Sequence, residues 1–178
     1  KSVKQMLTGA DRGEPTLEVL TGAYDVIVLK HCFPGAAVEP DTGSPDISSP
    51  AKRLENYRLQ YEALKQKMHE FPQTTFIMWT AAALVEDATT PDAAERSRTF
   101  VHWVRDEWDE SDDNIFLWDF NSLETEGGLY LKAEYAAGAG DSHPNADFSR
   151  RVAPLFSQRV VDVIEGRGDT APISGVIE

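Results

Sequence analysis

Tyr24-Asp25-Val26-Ile27-Val28-Leu29-Lys30 decides the fold of this chain. Its unbroken Val-Ile-Val-Leu run predicts a parallel strand buried on both faces, because a half-solvated antiparallel strand would alternate apolar and polar residues. His31-Cys32-Phe33-Pro34-Gly35 follows directly, and proline with glycine stops the ladder there. Two further runs read the same way. Residues 74–80 (Thr-Thr-Phe-Ile-Met-Trp-Thr) predict a second buried strand, and residues 114–118 (Asn-Ile-Phe-Leu-Trp) a third.

Long amphipathic stretches separate these strands. Leu54, Tyr57, Tyr61, Leu64, Met68 and Phe71 recur at alternating steps of three and four, which puts them on one stripe of a helix. Ser49 is placed to cap that helix and Pro50 suits its first turn, while Pro72 ends it. Thr90-Pro91 opens a second helix running to about Trp108, with Ala94, Val101, Val104 and Trp108 on its apolar stripe. A last helix is predicted over residues 145–165, with Pro154 inside it and Gly166 suited to its end. Residues 1–8 read as a short helical lead-in and residues 10–15 as a turn. The acidic turn at residues 109–113 reads as a solvated loop, and residues 123–134 as an irregular segment, a small hairpin or a wall beside a site.

Strands alternating with helices imply βαβ units, hence an α/β domain with a mostly parallel sheet and helices on both faces. One domain spans residues 1–166, and residues 167–178 read as a polar, loosely held tail. Ligands of such folds bind at the carboxyl ends of the strands. That places His31, Cys32 and Asp119 as candidate pocket residues, although a capping role suits Asp119 as well.

Composition excludes more than it identifies. The chain has 178 residues, 41% of them hydrophobic, enough for one sizeable core. A net charge of −13 argues against nucleic-acid backbones and anionic membranes as partners. No run approaches the ~20 apolar residues of a membrane span. Cys32 is the only cysteine, so it makes no intrachain disulfide or cysteine metal cluster. The four histidines form no i, i+4 pair, and no metal is expected. His69 and His102 fall on helices and read as structural or solvated. No Gly-x-Gly-x-x-Gly or phosphate-binding loop occurs, and no cofactor is expected.

One stretch carries possible chemistry. Gly140-Asp141-Ser142-His143-Pro144-Asn145 joins the glycine-rich residues 136–140 to the last helix. An acid two residues before a histidine can hold one ring nitrogen and leave the other as a base. The same residues also suit a helix start, with Asn145 as N-cap and Asp141 near the positive end of the helix dipole.

With these parts in order, the chain resembles the C-terminal two-thirds of an SGNH (GDSL-type) hydrolase domain. Asp25-Val26-Ile27-Val28-Leu29 resembles the strand feeding that family's oxyanion-binding block. Thr75-Phe76-Ile77-Met78-Trp79-Thr80 resembles its next strand, and Asp141-Ser142-His143-Pro144-Asn145 its closing block with the catalytic Asp and His. The resemblance implies a three-layer α/β/α, flavodoxin-like fold, here without its N-terminal strand. It implies a nucleophilic serine upstream of Lys1, His143 as general base and Asp141 as its orienting partner. The substrate would be a small acyl ester or an acylated carbohydrate, with no cofactor. The family has two residues between its Asp and His where this chain has one, and residues 32–35 lack the family's Gly-x-Asn-Asp block. A catalytically silent relative that binds a glycan or a protein partner is the other expectation.

Overall fold

The Val-Ile-Val-Leu run forms β1 (Val26–Lys30) in the computed structural model, which describes residues 15–176. The lead-in expected over residues 1–8 and most of the turn after it lie outside the described residues. A short α1 (Leu17–Thr21) precedes β1, and α2 (Leu54–His69) leads to β2 (Thr75–Trp79). Helix α3 (Pro91–Trp103), whose last turn is a π-helical extension through Trp108, leads to β3 (Ile115–Trp118). After α4 (Phe120–Thr125), a hairpin of β4 (Ala136–Gly138) and β5 (Asp141–Pro144) precedes α5 (Ala146–Ile164).

The three strands form a parallel sheet in the order β1-β2-β3. Register and alternation sort their side chains onto two faces. Ile27, Phe76 and Ile115 stand side by side, as do Leu29, Met78 and Leu117. They pack with Tyr57, Tyr61, Leu64 and Met68 of α2 and with Phe100, Val101 and Val104 of α3. On the other face Val26, Ile77, Trp79, Phe116 and Trp118 pack with Phe148, Val152, Phe156, Val160 and Val163 of α5. Two crossovers stepping the same way along the sheet, and sharing one hand, leave α2 and α3 on one face. The opposite face is left for α5. Each fully buried side chain of Phe or Ile size contributes roughly 1.5–3 kcal/mol, so the two cores hold the layers together.

Several expectations change. The sheet buries β1 less than the sequence implies: Val28 is 43% exposed, because α5 covers β2 and β3 more fully than this edge strand. Helix α2 begins at Leu54, with Arg53 as its N-cap, and the Ser49 side chain instead accepts from the Ala51 amide within the preceding loop. Thr90 caps α3 as its sequence suggests, accepting from the Ala93 amide at 3.2 Å. The acidic turn after α3 is not wholly solvated. One Asp109 carboxylate oxygen is buried without a hydrogen bond among the described residues, and burial raises its pKa to about 7. The segment expected to be irregular, residues 123–134, begins inside α4, whose last turn reaches Thr125.

The tail is packed rather than loose. The Asp119 amide donates to the Ile173 carbonyl at 2.9 Å, and the Trp118 indole to the Ser174 carbonyl at 3.0 Å. Arg159 of α5, 1% exposed, spends its guanidinium on the Leu117 and Gly168 carbonyls, both at 2.7 Å. Gly166, at φ +77°, ends α5 and turns the chain back. A Cβ at Gly175, itself at φ +74°, would lie 2.0 Å from the Leu155 carbonyl oxygen. Gly175→Ala is expected to cost roughly 1–3 kcal/mol in urea unfolding, through backbone strain and overpacking. An unchanged urea midpoint would mean that the tail does not dock.

Candidate functional site

The carboxyl edge of the sheet carries the loops that the sequence singles out, but it gives their residues different work. After β3, Asp119 is fully committed to structure. Its Oδ1 accepts from the Thr80 hydroxyl at 3.1 Å and from the Ser122 amide at 3.3 Å, capping α4. Its Oδ2 accepts from the Ser122 hydroxyl at 2.5 Å and pairs with Arg105 at 3.3 Å. Asn121 adds a second tie, donating through its backbone to Thr80 Oγ1 at 2.9 Å and through its side chain to the Ala81 carbonyl at 2.8 Å. Asp119 is therefore a buried clamp between the loops after β2 and β3, 3% exposed, and not an open pocket residue.

His31 belongs to the core on the α2 and α3 face. Its ring lies 5.1 Å from Tyr57, 5.9 Å from Tyr61 and 5.5 Å from Phe100, centroid to centroid. Its Nδ1 is 2.9 Å from the Tyr61 hydroxyl. Burial pushes its pKa down to about 4, so the ring is neutral at pH 7. Gly35 permits this packing, since a Cβ there would lie 2.1 Å from His31 Nε2. Cys32 is exposed and free at the start of the turn Phe33–Gly35. No hydrogen bond joins it to His143 among the described residues.

Asp141 and His143 do meet. Both lie on β5, two residues apart, so both project from one face of the strand. His143 Nδ1 is 2.7 Å from Asp141 Oδ1, which also accepts the His143 amide at 2.9 Å. These two bonds hold the Asp141 carboxyl below the usual carboxylate range. With Nδ1–H donating to the Asp141 carboxylate, the Nε2 lone pair is free, and among the described residues it makes no hydrogen bond. The Phe33 ring stands edge-on to the imidazole, 4.7 Å between centroids, so the loop after β1 walls one side of it. Ser142 points the opposite way. It is 4% exposed, and its hydroxyl accepts from the Val85 amide at 3.1 Å, fastening the hairpin to the loop after β2. Asn145 meanwhile caps α5, accepting from the Phe148 amide at 2.8 Å. The cap and the Asp–His pair therefore coexist on neighbouring residues. The pair is open to solvent, with 68% of the His143 side chain and 47% of the Asp141 side chain exposed.

Sequence reasoning missed Glu124. It is fully buried, and its Oε1 accepts the Ala83 amide at 2.5 Å while Oε2 has no hydrogen-bond partner among the described residues. Burial raises its pKa from 4.5 to about 8, with the Lys30 charge opposing. A lone acid in an irregular polar stretch gives no signal of this in one dimension. Among the described residues no group of three or more His, Cys, Asp or Glu side chains is arranged for a metal ion. No helix there is long and apolar enough to cross a membrane. Comparison with protein-family models, with curated proteins and with solved structures finds no match to this chain.

Glu124 sets a pH dependence whose sign is fixed. Its folded pKa lies above its unfolded value, so the folded state binds the extra proton between about pH 4.5 and 8. The stability from this group is present below pH 4.5 and is lost as pH rises through 8. Glu124→Gln cannot titrate, so its stability relative to the parent should climb by roughly 2–4 kcal/mol between pH 5 and pH 8.5. Paired urea titrations at the two pH values measure this. A constant difference would show that Glu124 titrates normally.

Proposed function

We propose that this chain is the C-terminal part of an SGNH-like ester hydrolase, with the three-layer, flavodoxin-like arrangement of that family and a small acyl ester or acylated carbohydrate as substrate. The observation that carries the reading is the 2.7 Å contact between Asp141 Oδ1 and His143 Nδ1 on a hairpin beside the loop after β1. In this reading a serine supplied from upstream of Lys1 attacks the ester carbonyl. His143 Nε2 takes the serine proton as the C–O bond forms and returns it to the leaving alcohol as the tetrahedral species collapses. Asp141 fixes the ring and stabilises its cationic form. Water then repeats the sequence on the acyl-enzyme, with His143 again as base. Backbone amides at the sheet edge would hold the oxyanion, each donor worth about 2.7–4 kcal/mol.

A second reading has its own support. Among the described residues no hydroxyl or thiol hydrogen-bonds His143 Nε2, and the residues after β1 lack the family's asparagine block. A silent SGNH-like domain that binds a glycan or a protein partner fits those two facts.

Hydrolysis of p-nitrophenyl acetate by the full-length protein separates the readings. His143→Ala is expected to lower kcat/KM by about 10²–10⁴ and Asp141→Asn by a smaller factor, as loss of a general base and of its orienting group demand. Fluorophosphonate labelling followed by peptide mapping should locate the serine upstream. Equal rates for parent and His143→Ala, with no labelled serine, would leave the binding domain as the reading.

A further inference from the structure

Behind the hairpin, on the side of Ser142 rather than His143, lies a cleft of about 600 Å³. It opens between the turn Glu86–Ala88, residues 125–133 and residues 136–140. Its volume is that of a small-ligand site. The floor is apolar and closed: Val85, Leu131 and Ala136 are each no more than 9% exposed. The walls are pinned by backbone. Leu131 donates to the Leu84 carbonyl, Lys132 to the Glu124 carbonyl and Gly128 to the Thr125 carbonyl, each at 3.0 Å. Ser142 holds the fourth side through Val85. The cleft therefore has a preformed shape.

Its charges are unbalanced. Glu86, Asp87 and Glu126 line it against one cation, Lys132. Lys132 is spent on Glu126 at 3.2 Å, and Glu126 also accepts the Tyr135 hydroxyl. Hydrogen bonds from Tyr135 and Lys132 lower the Glu126 pKa from its ordinary value. Glu86 and Asp87 remain at the rim, exposed, with no ion pair or side-chain hydrogen bond to another described residue. A chain of net charge −13 strengthens the negative field there.

We infer that this cleft binds an alkylammonium group, its hydrocarbon arm on the Val85–Leu131 floor and its cationic head between Glu86 and Asp87. The group can come from a free amine or from a lysine side chain. An anionic ligand would meet two carboxylates that have no cationic partner among the described residues, and a neutral one would leave both unused. The inference is independent of the hydrolase reading, because Ser142 and His143 face opposite sides of β5.

The test is an amide NMR titration of the protein at pH 7 and low salt. n-Butylamine, present as the ammonium ion, is compared with n-butanol and with Nα-acetyl-lysine-N-methylamide. Butylammonium should give saturable shifts at the amides of Val85, Gly128, Gly138 and Gly140, and butanol should not. Glu86→Gln with Asp87→Asn should weaken binding roughly three- to tenfold, the effect of removing two exposed charge contacts. Both positions are exposed, and an unchanged spectrum outside the cleft checks that the variant is folded. His143→Ala should bind as the parent does, which keeps this outcome distinct from that of the esterase assay. Lysine-derivative binding as tight as that of butylammonium would assign the site to a protein side chain, and binding by butylammonium alone to a free amine. No saturable shift at these amides, equal shifts from butanol, or unchanged affinity in the double variant would overturn the inference.

Discussion

The structure depends on β2 being buried on both faces and paired on both edges. Phe76 and Ile77 are each fully buried, one under α2 and α3 and the other under α5. Every backbone polar group of such a strand must be paired in the sheet, since no water reaches it. That requires a neighbour on each side, and parallel neighbours require crossovers long enough to hold a helix. The register then fixes which residues of β1 and β3 share a face. Two cores follow from one strand, and the positions of α2, α3 and α5 follow from the cores.

The same constraint governs the carboxyl edge. Where β2 and β3 leave the sheet, their loops carry polar groups that are still buried. Thr80, Asp119 and Asn121 satisfy one another across that edge, and Glu124 satisfies the Ala83 amide. These residues sit where α/β folds place ligands, yet their hydrogen bonds are directed inward. A polar residue at the end of a buried strand has two possible employers, the backbone around it and a ligand outside. Here the backbone takes most of them. The Asp141–His143 pair sits apart from them, on a hairpin that approaches the edge from elsewhere in the chain.

Much of the fold was legible because burial writes a periodic pattern. The apolar runs at residues 24–30, 74–80 and 114–118 each became a strand, and the stripe from Leu54 to Phe71 faces the core as its spacing required. What failed was set by tertiary neighbours. Val28 reads as buried from its sequence, but its exposure depends on how far α5 reaches across the sheet. The tail reads as loose because its docking uses main-chain carbonyls and close glycine contacts, which composition does not record. His31 was expected to line a pocket, and the strand alternation that carries Ile27 and Leu29 toward α2 carries it there too. Glu124 was invisible for a related reason: its burial is created by the loop after β2, some 40 positions away in the chain.

The hairpin resolves the question of spacing. One residue between an acid and a histidine leaves a loop little length to bring them together, but β5 is a strand. In a strand, residues two apart stand on the same face and the residue between stands on the other. Asp141 and His143 are thereby aligned without a compensating loop, and Ser142 is free to anchor the hairpin at Val85. The short spacing therefore serves two tasks at once. The geometry also sets a requirement on chemistry at this pair. An ion pair open to water is worth little, because solvent screens it. The imidazolium formed in an acyl transfer gains most from Asp141 when water is excluded. Phe33 supplies one apolar wall. For the proposed acyl transfer, the remaining sides of His143 would have to be closed by substrate or by a further segment of protein.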